Sequence, residues 1–126
     1  MAQSPLPAAL LLIVATEPAL RLRLDWLERA GYRVRTACSL KEVDQACHSQ
    51  PFDIILIADS VEPRMKKAIG HTVRHYLPEA PILQMGRIRP DIDGGNSFVT
   101  GDSREGVLQS VLKILKRRDD IRPAAI

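Results

Sequence analysis

The chain has 126 residues, 45% hydrophobic and 26% charged, with seven glycines and nine prolines; these proportions exclude a collagen, a low-complexity segment and a wholly disordered chain, and suit one domain with its own core. Eighteen basic against fifteen acidic residues leave a formal charge of +3, only a weak pointer to acidic partners. Two cysteines, Cys38 and Cys47, are too few for a disulfide framework, and the longest apolar run, Ala8 to Ala15, falls well short of the roughly 20 residues that cross a bilayer. Nothing basic precedes that run and Glu17 follows it, so it does not read as a signal peptide. The expectation is a single cytoplasmic domain over 1–126, with its core at about residues 9–118 and loose termini.

Leu10 to Val14 is continuously apolar, the pattern of a strand covered on both faces. Thr16, Glu17 and Pro18 then open a helix: the threonine can cap, the glutamate suits the positive end of the dipole, and the proline lacks a donor that the first turn leaves unused. Leu20, Leu24 and Leu27 recur on one helical face, and Gly31 stands where a left-handed C-terminal cap is usual. Tyr32 to Thr36 alternates and predicts a second strand. Ser39 and Glu42 form a capping box that opens a short helix through Val43 and Ala46. Pro51 and Phe52 end that connection, and Ile54 to Ala58 is a third buried strand. Pro63 to Leu77 has the helical period, with Gly70 as its weak point. Ile82 to Met85 predicts a fourth strand and Phe98 to Thr100 a short fifth. Asp102 and Glu105 open the last helix, whose apolar face reads as Leu108, Val111, Leu112 and Leu115, with Arg117 and Arg118 at its negative end. Such alternation predicts a three-layer α/β/α domain with a five-stranded parallel sheet between helices. Sheets of this kind take their ligands at the carboxyl ends of the strands.

The stretch Leu11-Leu-Ile-Val-Ala-Thr-Glu-Pro-Ala-Leu20 resembles the opening of a response-regulator receiver domain. So do Ala30-Gly-Tyr-Arg-Val34, Pro51-Phe-Asp-Ile-Ile-Leu56, the spacing Asp59-Ser-Val-Glu-Pro63, and Pro78-Glu-Ala-Pro81. The resemblance implies strand order 2-1-3-4-5. In a working member it also implies two acids after the first strand that hold Mg²⁺, a phosphoacceptor aspartate after the third, a hydroxyl after the fourth and a lysine after the fifth. Here the acid pair falls on Ala15 and Thr16, with only the following Glu17 matching, the hydroxyl position on Gly86 and the lysine position on Gly101. Counting forward from Phe52 and Asp53 puts the phosphoacceptor on Ala58; counting back from Pro63 puts it on Asp59, the extra residue implying a bulge. The connection from Gly86 to Phe98 is shorter than the family's, contains Pro90, Gly94 and Gly95, and has no apolar period. The family's fourth crossover helix is therefore expected to be missing or reduced to a turn within 87–96.

Phosphoryl transfer to a carboxylate needs a cation to offset charge on the transferring oxygens, and Mg²⁺ is held chiefly by carboxylates. Ala15 offers no ligand and Thr16 only a neutral hydroxyl. The expected function is thus a non-catalytic pseudo-receiver of bacterial signal transduction, acting through protein–protein contacts as a monomer or homodimer, without cofactor or metal. Two alternatives stay open: a phosphorelay receiver that accepts phosphate on Asp59, and binding of nucleic acid or an acidic ligand through a basic central face. That face runs between Ser60 and Pro90, where six basic residues meet two glutamates, and its candidate docking residues are Arg64, Lys66 and Lys67. His71 and His75 are four apart on a predicted helix but lack a third ligand by spacing, so they read as surface histidines. Cys38 and Cys47 read as small packing residues and Phe98 as plain packing. Trp26 is either a core-edge residue or a contact anchor.

Overall fold

The computed structural model describes residues 9–16, 19–86, 97–101 and 103–121. Five strands, β1 (Leu10–Val14), β2 (Arg33–Ala37), β3 (Ile54–Ile57), β4 (Ile82–Met85) and β5 (Ser97–Thr100), form one sheet in the order β2-β1-β3-β4-β5. All four pairings are parallel. Helices α1 (Ala19–Arg29), α2 (Leu40–Ser49), α3 (Pro63–Tyr76) and α4 (Arg104–Ile121) are the described connections and terminus. The expected loss of a helix in 87–96 lies outside the described residues. Among the described residues no helix is long and apolar enough to cross a membrane.

The period of two along each strand divides the core into two clusters. Leu11, Ile13, Ile54, Leu56, Leu83 and Met85 pack with Leu20 and Leu27 of α1 and with Val107, Val111, Ile114 and Leu115 of α4. Leu12, Val14, Ile55, Ile57 and Ile82 face the other way, onto Val43, Ala46 and Cys47 of α2 and Ile69 and Val73 of α3. The continuous apolar runs are what a sheet covered on both faces requires. Trp26 is half-buried against the first cluster, which places it at the core edge.

Local signals act where the sequence puts them. Gly31 has φ 97°. Its N–H donates to Glu28 O, and the Tyr32 N–H donates to Leu27 O, the paired bonds of a Schellman cap. Ser39 Oγ accepts from the Glu42 N–H at 3.2 Å, while Glu42 reaches back to the Cys38 N–H at 3.3 Å. α4 departs from the sequence reading at both its start and its face. Ser103 Oγ accepts from the Gly106 N–H at 3.1 Å and so caps the helix. The buried stripe is Val107, Val111, Ile114 and Leu115, with Leu108 half-buried and Leu112 43% exposed. A helix seated on a sheet buries a broad stripe, and four leucines and valines at helical spacing do not by themselves fix its phase.

Candidate functional site

The carboxyl ends of β1, β3, β4 and β5 bring together Ala15, Thr16, Ala58, Asp59, Gly86 and Gly101, the six positions picked out by the sequence. Their side chains do not make a metal cradle. Ala15 is 1% exposed and packs with Ala58 inside the first core cluster. Its N–H donates to Ala37 O at 3.3 Å. Thr16 is exposed, and its N–H donates to Ser60 Oγ at 3.4 Å.

The two counts for the phosphoacceptor meet at a turn, not a bulge. Ala58 continues the ladder by one bond, its N–H donating to Val14 O at 2.9 Å, and its own carbonyl accepts from the Val61 N–H at 3.2 Å. Ala58 to Val61 is therefore a β-turn, with Ala58 as its last ladder residue and Asp59 as its first central residue. By strand register the position beside Ala15 belongs to Ala58, which has no polar group. The carboxylate sits one residue further on.

Asp59 leans over Gly86. A Cβ built on Gly86 would stand 2.8 Å from Asp59 Cβ and 3.1 Å from its Cγ, and Gly86 has φ 74°. Two independent constraints thus require glycine there: a close approach and a left-handed backbone. Restoring a hydroxyl by Gly86→Ser should lower the unfolding free energy by about 1–3 kcal/mol, read as a lower urea midpoint. Gly101 is different, because a Cβ there meets nothing within 4 Å.

Asp59 has a partner that the sequence reading misplaced. Lys66 Nζ lies 3.8 Å from Asp59 Oδ1, with the lysine side chain 1% exposed and the aspartate side chain 49% exposed. At that separation the contact is an ion pair and not a hydrogen bond. Lys66 is consequently not part of an exposed docking face; of the three basic residues assigned to it, Arg64 and Lys67 are exposed. Arg74, on the same helix, donates to Ser97 Oγ of β5 at 2.9 Å.

The remaining candidates lie away from the strand ends. His71 and His75 are exposed on α3. The His75 and His48 rings stand edge-on to Tyr76, with centroids 4.8 Å and 5.4 Å away. A hydrogen bond to Asp44 raises the Tyr76 hydroxyl above its ordinary value. Cys38 is exposed and Cys47 buried, both as free thiols. Burial pushes the Cys47 thiol up from 9.0 to about 11, with Asp44 adding to the rise and Arg35 opposing it. An alkylating reagent near neutral pH should therefore label Cys38 in the folded protein and Cys47 only on unfolding. The unfolded thiol loses its proton near 9.0 and the folded one near 11. The unfolded state binds fewer protons in that window, so stability should fall as pH rises through it. Phe98 is half-buried against the first cluster, and with Leu83, Val99, Ser110, Lys113, Ile114 and Arg117 it lines a groove of about 380 Å³ between β5 and α4.

No protein-family model matches the chain, and no curated protein does. Solved structures do match. The chemotaxis protein CheY4 of Vibrio cholerae superposes with TM-score 0.72 at 20% identity, over 86% of this chain and 100% of that one. A CheY-like receiver domain protein from Methanospirillum hungatei gives TM-score 0.75 at 15% identity, over 90% of this chain and 98% of that one. A putative response regulator from Chloroflexus aurantiacus gives 0.73 at 22% identity, over 88% and 100%. The chain has the receiver fold of response regulators. Its sheet order and parallel pairing are those the resemblance implied.

Proposed function

We propose that this domain is a pseudo-receiver: a non-catalytic, cytoplasmic module of bacterial signal transduction that works through protein–protein contacts and not through phosphorylation. The observation that carries this reading is the state of the strand ends. Ala15 and Ala58 are sealed into the apolar core where a receiver is expected to present carboxylates, and Gly86 lies under Asp59 with no room for a side chain. Among the described residues at the strand ends the one carboxylate, Asp59, is half-exposed and already faces an ammonium, which leaves it little with which to draw Mg²⁺ from its water shell. Without the ion, charge on a transferring phosphoryl group goes unanswered.

Two exposed regions suit a partner. Arg64 and Lys67 stand on the first turns of α3, and the groove between β5 and α4 carries Lys113 and Arg117. The groove lies on the side through which, as the resemblance implies, receivers usually pass on their signal. Both regions favour an acidic partner surface. The test is Mg²⁺ titration followed by calorimetry, with a phosphorylatable receiver as positive control. The expected result is no saturable binding at millimolar Mg²⁺; saturable binding lost in Asp59→Asn would favour the phosphorelay alternative instead.

A further inference from the structure

Lys66 occupies a place that elementary electrostatics disfavours twice. It lies in the first turn of α3, where the Lys66 N–H donates to Glu62 O at 2.9 Å, and the positive end of a helix dipole repels a cation. It is also buried, and taking an ammonium out of water is costly unless a counter-charge is at hand. The ordinary reason to find a lysine on an apolar stripe is that its stem packs while its head snorkels to water. A side chain 1% exposed does not do that. The neighbouring Arg64 and Lys67 are exposed, so solubility does not call for a charge at 66. Beside the ammonium stands the Asp59 carboxylate at 3.8 Å, which in turn lies over Gly86.

We propose that Lys66 is the resident cation of this pocket: supplied from α3, its ammonium neutralises Asp59 where a phosphoryl-accepting site would need a divalent ion and a lysine on β5. The pair holds the strand ends in a single state that does not wait for metal or phosphate. Asp59 is then a counter-ion and not a phosphoacceptor. This rests on the reading of the pocket as inert in phosphoryl transfer, and adds the group that keeps it so. One consequence is specific to an ion pair with a half-open side. Removing the carboxylate should convert the site into a receptor for a small anion of the same chemistry, because the ammonium stays and the opening is already there.

The experiment is thermal unfolding of the wild type, Asp59→Ala and the double variant Asp59→Ala with Lys66→Met, each in formate and in chloride at matched ionic strength. Asp59→Ala should melt about 3–6 °C below the wild type. Formate should recover at least half of that loss in Asp59→Ala while moving neither of the other two proteins. The double variant should melt above Asp59→Ala, since it no longer buries an ammonium from which the Asp59 charge has been taken away. An Asp59→Ala protein that melts with the wild type, or formate acting equally on all three, would overturn the proposal. Asp59→Asn serves if the alanine variant folds poorly: it keeps the shape, removes the charge, and should show the same loss in chloride. None of these readouts involves phosphate, so failure of the ion pair leaves the inert-pocket reading standing. Phosphorylation of the wild type would sink that reading without moving the melting data.

Discussion

Ala15→Asp, which restores one acid of the expected metal pair, should lower the unfolding free energy at neutral pH by about 2–4 kcal/mol and bind no metal in return. Ala15 is sealed beside Ala58 among apolar side chains of β1, β3, α1 and α4. A carboxylate placed there loses water and gains no second acid at Ala58 with which to share an ion. The pH dependence identifies the cause. Burial raises a carboxyl pKa, so the folded state holds its proton longer than the unfolded one, and stability falls as pH rises from about 4. The variant should therefore lie closer to wild type at about pH 4 than at pH 7 in paired urea titrations. Ala58→Asp, at a position with no exposure at all, should behave alike. A variant as stable as wild type at both pH values would mean that the strand ends are open and that the pocket is vacant instead of packed.

Phe52→Ala should cost about 3–5 kcal/mol, a large share of the 5–15 kcal/mol typical of a whole domain. Phe52 is 2% exposed and among the largest fully enclosed side chains, packed in the cluster under α2 and α3. It precedes β3, at the opposite end of the sheet from Asp59. Next to it, the Asp53 N–H donates to Leu10 O at 2.7 Å and Asp53 Oδ2 accepts from the Leu10 N–H at 2.9 Å, which pins the start of β1 to β3. Loss of stability with no change in partner affinity, measured on the folded fraction, is the expected result. The Phe52-Asp53 motif therefore serves the scaffold.

The fold was legible because its signals are local and agree with one another. β1 and β4 lie within the bounds their apolar runs imply, and the caps at Ser39 and Gly31 act through the atoms that their residue types offer. The exceptions are problems of phase. β2 runs one residue later than its alternation suggests, and α4 buries Val107 and Ile114 in place of Leu112. Both follow from tertiary packing, which a one-dimensional period does not resolve.

The site was half legible. Ala15, Thr16, Gly86 and Gly101 visibly differ in chemistry from the groups that the resemblance implies at those positions. The pairing of Lys66 with Asp59 was hidden, because Lys66 sits in the run Arg64-Met65-Lys66-Lys67 and reads as one more surface charge. A signal was nevertheless present. Lys66, Ile69, Gly70 and Val73 are spaced i, i+3, i+4 and i+7, and they are the four buried residues of α3. A lysine on the buried stripe of a helix demands a counter-charge, and Asp59 is seven residues upstream, across the turn.

On the proposed reading the strand ends do not accept a phosphoryl group. Intact mass of the purified domain after incubation with a small phosphodonor and Mg²⁺ tests it most directly, with Asp59→Asn in parallel and an active receiver to prove the donor competent. The predicted result is an unchanged mass for both forms of this protein while the active receiver gains one phosphate. A one-phosphate gain in the wild type that disappears in Asp59→Asn would overturn the pseudo-receiver reading and make Asp59 a working phosphoacceptor.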